Sequence, residues 1–129
     1  MIGKVIKSKF TTDTNLNSLF AGRVFPSVGA QSQTTPFAIY EVINNTPSRT
    51  KDSDSHIDEV DVRITLISTN YSDTANGIEY VRSAFVRMRE IILDVAVQSC
   101  KFEGERDLFS DDERYCAKQV DLTFRIIRL

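Results

Sequence analysis

Asp52, Asp54, His56 and Asp58 place three carboxylates and an imidazole at every second position of KDSDSHIDE, a donor set suited in type to a divalent cation. An EF-hand-type calcium loop beginning at Asp52 needs a glycine where Ile57 stands and a glutamate where Arg63 stands, so that motif fails. Two readings remain for the segment: a divalent site, or a solvated hairpin arm. His56 is the sole histidine of the chain, so any Ser-His or Cys-His catalytic arrangement would have to use it as base, and nothing near it in sequence supports that role. The charged run EGERDLFSDDER offers carboxylates that could mimic an acid–base couple, but no cleft or partner base accompanies them, and a solvated hairpin fits better. No GK[ST] phosphate loop occurs. The residue types thus indicate neither a catalytic centre nor a cofactor, and no metal ligand set is assigned.

The elements that would position these residues follow from hydrophobic periodicity. Asp52, Asp54, His56 and Asp58 share the parity of Val60, Val62, Ile64 and Leu66, so one face of a strand changes from acidic to apolar at position 60. Its N-terminal part belongs to a polar hairpin loop around 45–58, which, if extended, outruns its own core; a two-stranded arm is marginal unless a partner supports it. The preceding strand, FAIYEVIN, is apolar on both parities, as expected of a strand covered on both faces. Ahead of it, Ile2, Val5, Ile6 and Phe10 trace a short amphipathic helix, and Thr12 or Asp13 caps a second helix carrying Leu16, Leu19 and Phe20 that Gly22 stops.

Downstream, Ser72 or Asp73 caps a long helix in which Ile78, Val81, Phe85, Met88, Ile92 and Val95 form one stripe. Running from 73 to about 97, it would span ~37 Å. Gly77 is a mild weakness in its first turn, and Arg82, Arg87 and Arg89 are read as solvent-facing charge. A turn at 110–113 leads to a closing strand in which Val120, Leu122, Phe124 and Ile126 alternate with Gln119, Asp121, Thr123 and Arg125. The expected fold is α+β: a two-layer sandwich of one mostly antiparallel or mixed sheet of four to five strands, packed on the long helix and an N-terminal helix. The crossover through the long helix is expected to be where parallel strands arise. The other sheet face carries Asp61, Arg63, Asp121 and Arg125.

Composition sets bounds on function. A chain of 129 residues with 41% hydrophobic and 26% charged residues suffices for one globular domain spanning 1–129. A net charge of −2 argues against a dedicated nucleic-acid binder. The longest apolar stretch, EIILDVAV, falls short of the ~20 residues that cross a bilayer, so a soluble, cytoplasmically made protein is expected, with no membrane partner. Cys100 and Cys116 flank a hairpin and could meet across it, but the expectation is two buried thiols.

One stretch carries more. In LNSLFAGRVFPSVGAQSQTTPFAIYEVINNTP, Gly22-Arg23-Val24-Phe25-Pro26 leads through a loop, 27–35, to Pro36-Phe37-Ala38-Ile39-Tyr40. This order resembles the small tail completion, or tail terminator, proteins of long-tailed phages, although the glycine usual shortly before the second proline is replaced by QSQTT. The resemblance implies a structural virion protein at the head-proximal end of the tail, assembled in the host cytoplasm and without enzymatic activity or cofactor. It implies a ring, commonly of six copies, that caps the tail tube, stops its growth and meets the head-tail connector or stopper. Its partners would be further copies of itself, the major tail-tube protein and that connector, with DNA passing through the bore unbound. The expected contact residues are Asp52, Asp54, His56, Asp58, Asp61, Arg63, Asp121 and Arg125, with Gln33 from the loop. Another head-tail adaptor ring, and a small metal-dependent enzyme, are the alternatives.

Overall fold

The computed structural model describes residues 2–26, 36–50, 53–86, 88–92, 95–109 and 116–128. The chain opens with α1 (Ile2–Thr12), which buries Ile2, Val5, Ile6 and Phe10 as the spacing predicts. The carboxylate of Asp13 accepts the backbone N–H groups of Asn15 and Leu16, both at 3.1 Å, and so caps α2 (Thr14–Phe20). That helix ends in two successive left-handed residues, Ala21 at φ 49° and Gly22 at φ 75°. Glycine adopts this conformation without a Cβ penalty, which is why the chain can reverse here.

The sheet has six strands in the order β1-β2-β3-β6-β5-β4: β1 (Val24–Pro26), β2 (Phe37–Thr50), β3 (Ser53–Ser68), β4 (Glu90–Ile92), β5 (Val95–Phe109) and β6 (Cys116–Arg128). Among the described residues only β1 and β2 pair in parallel. The other ladders are antiparallel. Six strands therefore replace the expected four to five. The sheet is mixed because of β1, not because the crossover made neighbours: β3 and β5 run the same way, but β6 lies between them.

The largest correction concerns the long helix. Helix α3 (Tyr71–Phe85) ends where Val86 turns extended at φ −67°, ψ 129°. The segment expected to continue it instead folds back as the β4–β5 ladder, with Ile92 beside Val95. Met88 and Val95 are still buried and Ile92 partly so. An apolar residue every three or four positions satisfied the helical template, but the β-branched Ile91, Ile92, Val95 and Val97 fit a pleated surface better. The N-cap is Asn70, accepting from the Ser72 N–H at 3.0 Å, rather than Ser72 or Asp73; Asp73 holds the Ser68 hydroxyl at 3.0 Å instead.

The core lies between the helices and one face of the sheet. Val60, Val62, Ile64 and Leu66 of β3 and Val120, Leu122, Phe124 and Ile126 of β6 are buried there, as alternation predicts. Fully burying side chains of this kind contributes about 1.5–3 kcal/mol each. Strand β2 corrects the expectation of coverage on both faces: Ala38 is buried, whereas Val42 and Ile43 are 46% and 50% exposed. Strand β1 accompanies β2 only through Tyr40, and the helical layer does not reach farther. The expected loop around 45–58 is largely ladder, since β2 and β3 pair out to Thr50 and Ser53 with irregularities at Val42/Asn44 and Pro47/Arg49. Strand β6 supports β3 only as far as Ile57, so the arm beyond it is two-stranded. The turn expected at 110–113 lies outside the described residues.

Two details generate tests. Gly77 sits within α3, where an added Cβ would lie 2.8 Å from Leu66 Cδ1 and 3.1 Å from Phe20 Cζ. Its smallness lets α3 approach both β3 and α2. Gly77→Val should destabilise the fold by about 1–3 kcal/mol in chemical denaturation, through overpacking of a site with no slack. The cysteines do not meet: Cys100 pairs in register with Phe124 and Cys116 with Phe109, eight ladder positions along β6, about 26 Å. Both are free; Cys100 is buried and Cys116 only partly so, which corrects half of the expected buried pair. Burial pushes the Cys100 thiol up to about 12. Alkylation of native protein at pH 8 should therefore label Cys116 alone, with Cys100 reacting after unfolding, as read by mass spectrometry. An unfolded thiol ionises near 8.5, so the folded chain holds more protons between about pH 8.5 and 12 and stability falls as pH rises through that window. Cys100→Ala should remove that part of the fall.

Candidate assembly surface

The sheet face opposite the helices carries a polar ladder. Alternation puts Glu59, Asp61 and Arg63 of β3 on that face, and the β3–β6 register sets them directly across from Arg125, Thr123 and Asp121. Asp121 is its hub. It accepts from Arg63 Nε at 2.9 Å with one oxygen and from Arg106 Nη2 at 2.7 Å with the other. Glu41 of β2 stands 3.9 Å from Arg63 Nη1, extending the network across four strands. The hydrogen bond that Arg63 donates to Asp121 holds its guanidinium above its already high ordinary value. Below this row, the Thr123 hydroxyl donates to Asp61 at 2.8 Å and Arg125 Nε donates to Gln98 at 3.2 Å.

The four open-face residues read from sequence, Asp61, Arg63, Asp121 and Arg125, are thus brought together. The arm residues are not gathered with them. Asp58 lies on the opposite parity, 5% exposed, between Pro47 of β2 and Ile126 of β6. It was expected in an exposed acidic arm; it is a buried residue because β6 still pairs with β3 at this point. Asp52 and Gln33 lie outside the described residues, as do the side chains of Asp54 and His56. Among the described residues no group of three or more His, Cys, Asp or Glu could hold a metal ion. A shallow groove of about 470 Å³ runs along the face beside Ile43, walled by Glu59, Asp61, Arg63, Glu103 and Asp121. Four carboxylates and one guanidinium line it, so it is acidic on balance, although Arg106 also bonds to Asp121 from beside it.

Sequence reasoning missed Arg106, because the register that sets β5 against β6 is not visible in a charged run. Arg82 is solvent-exposed, as read, and its guanidinium also stacks 4.1 Å from the centre of the Phe102 ring. Arg87 lies outside the described residues, and Arg89 follows α3 instead of lying on it.

The model of the family described as "Tail completion protein gp17" matches residues 4–128. The chain belongs to that family. Among solved structures, it is similar to a chain of "Virion of native gene transfer agent (GTA) particle", with a TM-score of 0.77 and 12% identity over 95% of this chain and 91% of that one. At that identity the likeness is one of fold. No individual curated protein matches the sequence. As a tail completion protein the molecule is a structural component of a phage-type tail, and its family is not one of enzymes. No helix among the described residues is long and apolar enough to cross a membrane.

The GRVFP…PFAIY order that first resembled this family has a physical role in the tail completion protein. Arg23 closes the loop at its base: its carbonyl accepts the Ala38 N–H at 2.9 Å, and its Nε donates to the Pro36 carbonyl at 2.9 Å. Val24, Phe25 and Pro26 then lie parallel beside Ala38, Ile39 and Tyr40.

Burial separates two neighbouring acids. Asp58→Lys should cost at least about 2 kcal/mol of folding stability, because it forces a larger, cationic side chain into a buried position. Asp61→Lys should cost about 1 kcal/mol, the loss of one half-exposed hydrogen bond. Denaturant titration of the two variants checks the order.

Proposed function

We propose that this tail completion protein forms a closed ring, of six copies, that caps the finished tail tube, ends its growth and presents a surface to the head connector. The observation that carries the reading is the family match along 4–128. The likeness in fold to a chain of a gene transfer agent virion supports it. So does the distribution of surface chemistry. A ring needs two unlike, mutually complementary surfaces on each copy. Here the helices cover one sheet face, the charged ladder occupies the other, and exposed apolar residues sit on β2 beyond the reach of β1 and on the edge strand β4. The net charge of −2 leaves no basic surface excess to hold DNA inside a bore. The contact residues of this reading are Asp61, Arg63, Asp121 and Arg125 on the open face, with Asp52, Asp54 and His56 of the arm and Gln33 of the loop.

Electron microscopy and mass measurement of the purified protein should reveal rings at high concentration or on the ends of isolated tail tubes. Assembly without the protein should yield tubes of uncontrolled length. A chain that stays monomeric and shows no affinity for tubes would sink the reading.

A further inference from the structure

The two sides of the sheet differ in chemistry in a way that suits one copy to the next. On the β2 side, Val42 and Ile43 are 46% and 50% exposed. They lie beside exposed Glu41 and beside the groove that Glu59, Asp61, Glu103 and Asp121 make acidic, with Arg63 its one lining cation. On the β4 side, Ile91 is 71% exposed, more than any other large apolar side chain among the described residues. Two positions before it, Arg89 is exposed and shares with Arg125, Gln98 and Ser99 a groove of about 560 Å³ that no carboxylate lines. One side is apolar and acidic, the other apolar and basic.

We propose that the β2 side of one copy seats the β4 side of a second copy, with Ile91 against Val42 and Ile43 and Arg89 facing Glu41 and the acidic groove. This rests on the ring reading and names the contact that would close it. Burying the three apolar side chains supplies a non-directional driving force, while the opposite charges fix which side meets which. The two sides are different surfaces, so the contact is heterologous and repeats around an axis.

The ladder also predicts the inclination of the strands. Ile91 is level with Ile57 through Ala96 and Ile127, whereas Ile43 is the extra residue beside Val62 and Asp61. The two patches therefore differ in height by four to five residues of β3, about 15 Å. In a closed ring they must meet at one level. Across the four strand spacings from β2 to β4, roughly 19 Å, this requires strands inclined by about 40° to the ring axis, near the tilt of closed barrels.

The test is a charge exchange on the full chain. Arg89→Glu alone and Glu41→Arg alone should each weaken ring formation at least about tenfold in concentration dependence, with unchanged circular dichroism and thermal melting. The double variant should recover most of the loss. Independently, Ile43→Cys combined with Ile91→Cys, in a Cys116→Ser background, should give covalent oligomers on oxidation, whereas either cysteine alone should not. If wild-type rings form and neither reversal weakens them nor the cysteines cross-link, this contact is overturned while the ring reading stands. If wild-type protein forms no ring even on tube ends, both fall.

Discussion

A buried aromatic chain holds the layers together. Phe10 of α1 packs 5.4 Å from Phe20 of α2 and 6.1 Å from Phe85 of α3, and Phe85 meets Phe124 of β6 edge-on at 5.9 Å. Four rings thus join all three helices to the middle of the sheet. Offset and edge-on geometries add about 0.5–1.5 kcal/mol per pair beyond the area buried. Phe85 is also the last residue of α3, so the helix stops where its aromatic anchor is fully engaged. The Lys9–Glu90 ion pair then ties α1 to β4, immediately past that stop.

Because the helices cover only one face and only part of the sheet's length, the rest must be made compatible with water or with a partner. Over the middle of the open face this is done by charge: Glu41, Arg63, Asp121 and Arg106 form a continuous row in which each carboxylate meets a guanidinium. At the edges it is not done. Val42, Ile43 and Ile91 remain apolar and exposed, although edge strands of a free-standing sheet are commonly blunted by charge, proline or bulges. Pro47 and the β2 irregularities do blunt the arm. That contrast leaves Val42, Ile43 and Ile91 as bare apolar residues where the sheet ends.

The loop-bracketing prolines show how local chemistry becomes tertiary structure. Gly22 supplies a positive φ that turns the chain out of α2, Arg23 bonds both sides of the loop base, and Pro36 directs the chain into β2. The result is a parallel β1–β2 pair between strands that lie close in sequence, Val24–Pro26 and Phe37–Thr50. Parallel pairing usually requires a long crossover. Here three residues of β1 suffice because both of its neighbours, α1 and β2, are already packed on the core.

Periodicity alone determined the buried faces of α1, α2, β3 and β6, since a face that must leave water imposes its repeat on the sequence whatever it packs against. It also placed Asp61, Arg63, Asp121 and Arg125 together on the open face, and the order of GRVFP and PFAIY marked the family. Tertiary structure decided the rest. Apolar spacing from Met88 to Val95 fits a helix and a hairpin equally, and the choice fell to pairing with β5. Asp58 reads as part of an acidic arm until β6 is seen beside it, and burial by a strand 68 residues away in sequence leaves no local mark. Arg106 joins Asp121 only through a register with an irregularity at Phe102/Gly104. Whether a residue faces water is local information; which residue it faces is not, because contacts between strands depend on the relative position of distant segments.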